Sequence, residues 1–249
     1  MRQLELVRAF AYPSVGFLVL LFGLIFTAAA AAAPSVTKTS KPESFLELKA
    51  KTSMFGNVTF LIAPKQVVTK CFTGSCIWSA RKPEQVQLVH PEAGCYLNVS
   101  TKDWIIRKRG GIDKVTIASV VKLGEEKIAN HTCVHYRGYQ TKEANKSSPS
   151  IEFWSIAKPP CDKETIEYFC SMFSVPSQYG LPIKVKQVSA GKLGMTLATV
   201  TLVTKPVIVK DFALPSGYRQ VKDMGSFYFA EKGDSLEASE LNNYFRSDR

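Results

Sequence analysis

The chain has 249 residues, 45% of them hydrophobic, and 32 lysines and arginines against 21 aspartates and glutamates give a formal net charge of +11. So strong a positive charge favours contact with anionic lipid headgroups, acidic glycans or nucleic acid, without indicating any fold. The basic residues are spread along the chain rather than grouped, which is typical of a solvated surface. The sequence contains no recognisable nucleic-acid-binding module, so we exclude nucleic acid as a partner.

The N-terminus reads as an export signal, either a signal peptide or a signal anchor. Arg2 and Arg8 precede an uncharged run from Val15 to Ala33 that ends in small residues, which is the order found in signal peptides. The run is also close to the ~20 residues with which a helix crosses a bilayer. It is therefore either cleaved near residues 30–33 or kept as a tether. In both cases we expect the rest of the chain in a periplasm, in a lumen or outside the cell.

All six cysteines follow this segment, which suits an oxidising compartment and up to three disulfides. The sequence alone does not decide among the possible pairings. The two local pairs would be the easiest to close, and they leave a third: the scheme is Cys71–Cys76, Cys161–Cys170 and Cys95–Cys133.

Four asparagines begin glycosylation sequons: Asn57, Asn98, Asn130 and Asn145. In a eukaryotic secretory pathway these would be acceptors on the surface. A bacterial host would ignore them, and motifs this short also recur by chance.

The exported part begins with a polar linker over residues 34–42, after which we predict a short helix. Pro42 would stand in its first turn, Phe45 and Leu48 would share a face, and Gly56 would end it. A series of short strands should then begin at Val58.

Apolar alternation over residues 58–62 predicts the first of these strands. Segments 66–71 and 76–80 are joined by a short glycine-containing link and predict a hairpin with Cys71 and Cys76 at its mouth. Further strand character is found at Val86 and Leu88, at Tyr96, and beyond a polar turn at Trp104 and Ile106.

Residues 107–111 predict a basic turn, and residues 112–126 fit either a strand or a helix or loop that crosses the sheet. Two strands are predicted at 128–139 and 151–157, joined by a polar loop over 141–150.

One later helix is well marked. Asp162 is placed to cap it, Pro176 ends it, and its apolar face carries residues at helical spacing: Ile166, Phe169, Cys170 and Phe173. Alternation over 181–185 and 198–202 then predicts half-buried antiparallel strands. Together these elements form an α+β architecture, followed by a polar tail with a loose helix at 236–245.

No constellation of residues identifies a reaction. His131, Cys133 and His135 would project from one face of a strand and are zinc-binding types, but ligands about 6–7 Å apart on a straight strand are too far apart for one ion. The pair Cys71 and Cys76 lacks the Cys-x-x-Cys spacing of redox pairs. The sequence also has no nucleophile elbow and no phosphate-binding glycine loop. We therefore predict no metal, no cofactor and no enzymatic activity.

Several stretches are similar to the LolA/LppX-like superfamily of exported lipoprotein and lipid carriers. They are residues 43–50 with the strand that begins at Gly56, residues 74–83 with their Trp and Arg-x-Pro sequence, and residues 86–91, 128–136, 179–183 and 212–218.

This resemblance covers roughly residues 43–222, which we take as the domain, leaving residues 223–249 as a tail. It implies a strongly curved antiparallel sheet, an incomplete β-barrel, with two or three helices plugging the concave side and an apolar cavity able to hold acyl chains. The six cysteines depart from the family's usual pattern. No ligand-contact residue of the family transfers to a position in this chain.

The function expected from these observations is that of an exported, non-enzymatic protein that binds or carries a lipid or other apolar small molecule. Alternation gives candidate inward-facing residues, which are equally compatible with a solid core: Val86, Leu88, Trp104, Ile106, Phe153, Ile183 and Val200. The alternative is a basic envelope or extracellular interaction module, solidly packed, that docks an anionic partner such as a membrane surface or an envelope polymer.

Overall fold

The computed structural model describes residues 43–53, 55–108, 116–140, 148–189 and 192–230, with the backbone alone at residues 108 and 189. The export signal, the linker, the helix expected at 236–245, Asn145 and most of the loop expected at 141–150 lie outside these ranges. Within them, no helix is long and apolar enough to cross a membrane.

The described chain forms one curved, unclosed sheet of twelve strands with three helices, which confirms the predicted α+β fold. Across the sheet the strands follow the order β12-β6-β5-β4-β3-β2-β1-β11-β10-β9-β8-β7, and all neighbours are antiparallel except β12 and β6. The strands are β1 Ser44–Thr52, β2 Gly56–Ala63, β3 Gln66–Cys71, β4 Gly74–Ser79, β5 Gln85–His90, β6 Cys95–Ser100, β7 Ser119–Ile128, β8 His131–Tyr139, β9 Ile151–Ile156, β10 Leu181–Ser189, β11 Lys192–Pro206 and β12 Arg219–Gln220. The helices are α1 Thr101–Lys108, α2 Lys163–Met172 and α3 Met224–Tyr228, with 3₁₀ turns at Ser177–Tyr179 and Val209–Asp211.

The two faces of the sheet bury separate apolar clusters. On the concave face, α1 and α2 pack over side chains that point inward along each strand, such as Leu46 and Leu48 of β1. A smaller cluster lies on the convex face and includes Phe45, Leu61 and Val68. The central strands are therefore covered on both sides.

The convex cluster is covered by the strap, which we define as residues 207–218. Phe212 of the strap packs edge-on against Phe45, with ring centroids 5.2 Å apart, and the Tyr218 hydroxyl donates to the Pro91 carbonyl oxygen at 3.3 Å. The chain then pairs as β12 with β6, and Phe227 of α3 is 5% exposed within the larger apolar cluster. Residues just beyond the predicted domain end at 222 thus belong to the folded core.

Several sequence predictions are confirmed. They are the strands at 58–62, 66–71, 76–80, 85–88, 151–157 and 181–185, the hairpin between β3 and β4, and the helix that follows Asp162. Asp162 occupies the N-cap position, although its side chain makes no capping hydrogen bond there.

The helix predicted after Pro42 is wrong, because residues 44–52 form strand β1 between β2 and β11. Phe45 faces the strap while Leu46 and Leu48 face the concave core. A strand buried on both faces lacks clean alternation, and its consecutive apolar residues imitated the spacing of a helical face.

The strand predicted around Trp104 and Ile106 is also wrong, since both residues lie on α1. The Ser100 hydroxyl accepts a hydrogen bond from the Asp103 backbone N–H at 3.1 Å, and the Thr101 hydroxyl donates to the Pro83 carbonyl oxygen at 2.7 Å. The polar turn expected at this point is therefore a helix start, at which serine commonly accepts a backbone hydrogen bond.

Residues 119–126, which the sequence left open between strand, helix and loop, belong to strand β7, Ser119–Ile128. The strand expected from 128 starts at His131, because Ala129 and Asn130 form a two-residue turn with positive φ values of 48° and 66°. Such turns suit the twist of a hairpin and favour asparagine.

Four register shifts interrupt the described ladder, and two of them, on β11 against β1 and on β7 against β8, leave an exposed apolar residue without a partner on the neighbouring strand. Lys49 pairs with Thr201 and Ala50 with Thr199, so Val200 has no partner on β1. On β7, Lys122 pairs with Tyr136 and Gly124 with His135, which leaves Leu123 unpaired. A bulge shifts the alternation of its own strand by one residue.

Candidate functional site

The candidate ligand site is the seam between α2 and the concave face, which is built mainly of aromatic rings. Phe169 of α2 packs edge-on against Phe60 at 5.1 Å between centroids, and Tyr168 stacks on Trp78 at 4.4 Å with 3° between the ring planes. The Tyr168 hydroxyl also lies 3.7 Å from the Cys76 thiol, a neutral hydrogen bond. The rings therefore hold α2 without fixing its position through charge.

Polar contacts hold α2 at each end. At its N-terminus, the Pro64 carbonyl oxygen accepts hydrogen bonds from the Asp162 backbone N–H at 2.9 Å and from the Thr165 hydroxyl at 2.7 Å. Just past its C-terminus, the Gln187 amide donates to the Phe173 carbonyl oxygen at 2.6 Å. The helix is therefore fastened at both ends, with rings between.

Beyond the C-terminal end of α2, a second aromatic group extends the concave face. Tyr136 of β8 and Phe153 of β9 stack with centroids 5.2 Å apart, and Tyr179 lies 4.8 Å from Tyr136. Cross-strand aromatic pairs of this kind stabilise a sheet and form apolar walls.

Five of the seven predicted inward-facing residues lie in the concave core and are buried: Val86, Leu88, Trp104, Phe153 and Ile183. Ile106 is half-buried on α1. Val200 is 60% exposed, so the prediction that it faces inward is wrong. The bulge at Val200 turns it outward while Leu197 and Leu202, on either side, stay buried.

Two hydroxyls of the concave face are buried without a hydrogen-bond partner among the described residues. Thr69 pairs across the ladder with Phe60 and Cys76, and Ser155 follows Phe153 by two residues, which places both hydroxyls on the inner face. An unsatisfied buried hydroxyl costs about 1–3 kcal/mol. The interior thus offers polar groups to an occupant that can pair with them.

All six cysteines lie in the described ranges, and no disulfide joins them there, so their pairing stays a prediction. Burial raises the pKa of Cys133 to about 11 and that of Cys161 to about 12, and it also raises the pKa of Cys170. These three thiols are therefore protonated at neutral pH, and protonated thiols are weak nucleophiles and weak metal ligands.

The two histidines and the cysteine weighed as zinc ligands have other contacts. The His131 ring nitrogen lies 3.4 Å from the Leu202 carbonyl oxygen, and the Cys133 thiol donates to the His131 carbonyl oxygen at 3.3 Å. Over the described ranges no group of three acidic, histidine or cysteine side chains could hold a metal ion.

Of the predicted glycosylation sites, Asn57 and Asn130 are exposed. Asn98 is half-buried on β6, where its side chain accepts a hydrogen bond from Gln87 at 3.4 Å. Glycosylation stays a prediction at all four positions.

A row of stacked side chains crosses strands β8, β9 and β10 on the side of the sheet opposite to Phe153, and nothing in the sequence pattern predicted it. The His135 and Trp154 rings stack with centroids 4.0 Å apart and 11° between their planes, and the Lys184 ammonium lies 4.0 Å from the Trp154 ring centroid. Cation–π contacts of this kind attract lysine to the face of a tryptophan.

The next row along the same three strands is an ion network. Glu152 accepts hydrogen bonds from Arg137 at 2.8 and 2.6 Å, and its other oxygen lies 3.9 Å from both His135 and Lys186. Lys184 and Lys186 alternate with buried residues in the sequence, which marked them as outward-facing. The residues that contact Lys184 and Lys186 on neighbouring strands could not be predicted, because the sequence of one strand does not determine its register with the next.

Neither a family model nor a curated protein matches the chain. Similar solved structures include an uncharacterised conserved protein from Thermus thermophilus, with 7% identity, 72% of this chain and 90% of that chain covered, and a TM-score of 0.41. Another is MucB of Pseudomonas aeruginosa, solved in complex with MucA, with 12% identity and a TM-score of 0.35; the match covers 70% of this chain and only 55% of MucB. A third is the LolA superfamily protein NE2245 from Nitrosomonas europaea, with 6% identity, coverage of 70% and 91%, and a TM-score of 0.26.

A LolA superfamily member is among these structures. At such identities and TM-scores the likeness carries no argument about what this chain binds. Any function must therefore be argued from its own residues.

Proposed function

We propose that the protein is an exported, non-enzymatic carrier that holds a lipid or other apolar ligand between α2 and the concave face of the sheet. The observation that supports this most is the composition of the seam. Rings of α2 meet rings of β2 and β4 with no ion pair between them among the described residues. An acyl chain could replace these ring contacts without leaving a charge unpaired.

Ligand entry requires α2 to move, because rings 4.4–5.1 Å apart leave no space for a chain between them. The helix can swing about the Pro64 carbonyl, which holds its N-terminus through two hydrogen bonds. The contact between Gln187 and Phe173 at the other end would then be the one that opens.

The unpaired hydroxyls of Thr69 and Ser155 support a ligand with polar atoms near its apolar part. An ester or headgroup oxygen could accept a hydrogen bond from either of them. Such a hydrogen bond would offset the cost of burying the hydroxyl, which has no partner within the described part of the closed interior.

Native mass spectrometry of the purified protein, before and after organic extraction, tests the proposal. We expect additional mass in the range of one or two lipid molecules that disappears on extraction. Protein that shows only the mass of the polypeptide, even after incubation with phospholipid vesicles, would contradict a carrier function.

Paired substitutions locate the ligand. Leu88→Asp, on the concave face, should reduce the bound lipid more than the yield of folded protein. Val200→Asp, on the exposed bulge, is the matched control and should leave bound lipid unchanged. If Leu88→Asp abolishes folding before lipid binding can be measured, Leu88→Asn offers a milder change at the same position.

The alternative function is an interaction module that docks an anionic partner. The rows around Trp154 favour it, because three basic side chains, Arg137, Lys184 and Lys186, outnumber the two carboxylates with which they pair, Glu126 and Glu152. Docking through charge should weaken steeply between low and physiological ionic strength, whereas retention of an apolar ligand should not.

A further inference from the structure

We infer that one end of the sheet, which we call the rim, docks on the surface of an anionic lipid bilayer. The rim is the end at which β1 joins β2, β3 joins β4, and β10 joins β11. The antiparallel pairing of β11 with β1 and of β2 with β3 places these three turns at the same end of the sheet, where Thr52 lies level with Leu197 and the β10–β11 hairpin extends beyond that level to Lys192. The inference holds whether or not the concave interior carries a ligand.

Apolar side chains stand exposed at the rim. Phe72, in the turn between β3 and β4, is 84% exposed, and Val188 and Leu193 face each other across the β10–β11 hairpin at 43% and 36%. Transfer of such side chains from water into an apolar phase is favourable in proportion to the area removed from water. Aromatic residues also favour the boundary between lipid and water.

Basic side chains stand beside these apolar tips. Lys51, Lys70 and Lys192 are exposed, and none of them takes part in an ion pair within the described part of the chain. The exposed Glu92, in the turn between β5 and β6 at the same end of the sheet, is outnumbered by these three lysines. Lysines beside an apolar tip attract anionic headgroups while their stems lie along the hydrocarbon boundary.

The spacing of the tips favours a bilayer over a protein partner. Strands β3 and β11 are separated by β2 and β1, so the Phe72 turn and the Leu193 hairpin lie about 15 Å apart across the strands. The register also sets Leu193 about 16 Å further along the strand direction, so the sheet would have to tilt for both tips to reach one membrane surface. A protein interface needs one contiguous, complementary apolar core. A fluid bilayer accepts separate tips without such a match.

Tryptophan emission of the full chain tests the inference even if an N-terminal segment also binds lipid. Phe72→Trp places a probe at the rim, and Val209→Trp, at a residue 78% exposed beside the opposite end of β1, is its matched control. With equimolar phosphatidylglycerol and phosphatidylcholine vesicles, we expect a blue shift and quenching by brominated acyl chains for the probe at position 72, and neither change for the probe at 209.

The charge contribution is tested in the Phe72→Trp background. Lys70→Glu should reduce the blue shift, whereas Lys163→Glu, at an exposed lysine of the α2 N-terminus near Pro64, should not. Circular dichroism of each variant checks that the fold is kept. Pure phosphatidylcholine vesicles and raised salt should both weaken the shift.

Three results would overturn the inference. One is equal behaviour of the probes at positions 72 and 209, and another is insertion that does not depend on phosphatidylglycerol or on Lys70. The third is a shift of the rim probe by poly-glutamate but not by vesicles, which would indicate an acidic protein partner instead of a membrane.

Discussion

At the scale of single residues, the burial of His135 against Trp154 makes the stability of the protein depend on pH. The His135 imidazole is stacked on Trp154 and has Lys184 and Arg137 as positive neighbours, with Glu152 and Glu126 as negative ones. Burial, the largest cause, lowers the pKa of His135 despite the opposing carboxylates. The folded protein therefore holds this ring neutral.

The first prediction concerns acidification. In the unfolded chain His135 takes up a proton below pH about 6.5, whereas the folded state resists protonation to a lower pH. The contribution of neutral His135 to the free energy of unfolding is therefore complete above about pH 6.5. It is lost as the pH falls toward the lower pKa that His135 has in the folded protein. Urea denaturation at several pH values between about 7.5 and 5 should show this loss, and His135→Phe, which keeps a ring on Trp154, should show a smaller one. Equal slopes for both proteins would refute the assignment.

A second prediction at this scale concerns the inner hydroxyls. Thr69→Val removes a buried hydroxyl without a partner and should change the free energy of unfolding by less than about 0.5 kcal/mol or raise it. Thr199→Val removes a hydroxyl that donates to the Ile183 carbonyl oxygen, and it should destabilise the protein by about 1 kcal/mol. If Thr69→Val is the more damaging of the two, an occupant or a solvent molecule already pairs with Thr69.

At the scale of elements, what the sequence could reveal depended on how each strand is covered. Val58, Phe60 and Ile62 alternate regularly, and β2 was predicted where it lies. Phe45, by contrast, is buried by a strap that comes from the far end of the described chain, so the environment of β1 could not be read locally. Trp104 was read as part of a strand because its apolar neighbours did not distinguish a two-turn helix from a short strand.

The same reasoning applies to the candidate site. The inward positions of Val86, Leu88, Phe153 and Ile183 followed from alternation alone. Alternation failed at Val200, because a bulge is set by the pairing of two strands and has no fixed sequence signal. The row through Trp154 likewise depends on register between three strands.

The bulge in β11 gives the third prediction. Val200→Lys should change the free energy of unfolding by less than about 0.5 kcal/mol, as surface substitutions usually do. Leu202→Lys, only two residues away but 6% exposed on the inner face, should destabilise by about 3 kcal/mol or more, because it buries a charge without a partner. Chemical denaturation compares the two. Similar costs would mean that the strand continues without a bulge.

At the scale of the whole molecule, the strap joins parts of the sheet that the ladder alone keeps far apart. It starts next to β1, where the Val207 backbone N–H donates to the Glu43 carbonyl oxygen at 2.9 Å, and it ends at β6 near one edge of the sheet. The strap packs on the convex face of β1 to β6, while the helices pack on the concave face of the sheet. The curvature of this half is thus supported from both faces.

The fourth prediction tests this role. Phe212→Ala should lower the free energy of unfolding by about 3–5 kcal/mol, because it removes a buried ring from the convex cluster. Hydrogen exchange should accelerate at β12 and β6 as well as at β1. Val209→Ala, at an exposed position of the same segment, should change neither quantity. Faster exchange confined to the strap would show that it does not support the sheet.

The bulged strand β7 has a consequence for crowded conditions. It borders the sheet with only β8 as a neighbour among the described strands, so one line of its peptide groups is available to a foreign strand, the situation from which fibrils grow. The unpaired Leu123 interrupts the regular spacing of hydrogen-bonding groups that an added strand would have to match. Pairing at this edge would also desolvate Lys122 and Glu125, whose charged groups lie 2.9 Å apart. We therefore expect the edge strand β7 to resist the addition of strands from other molecules, so that the sheet can stay unclosed without promoting aggregation.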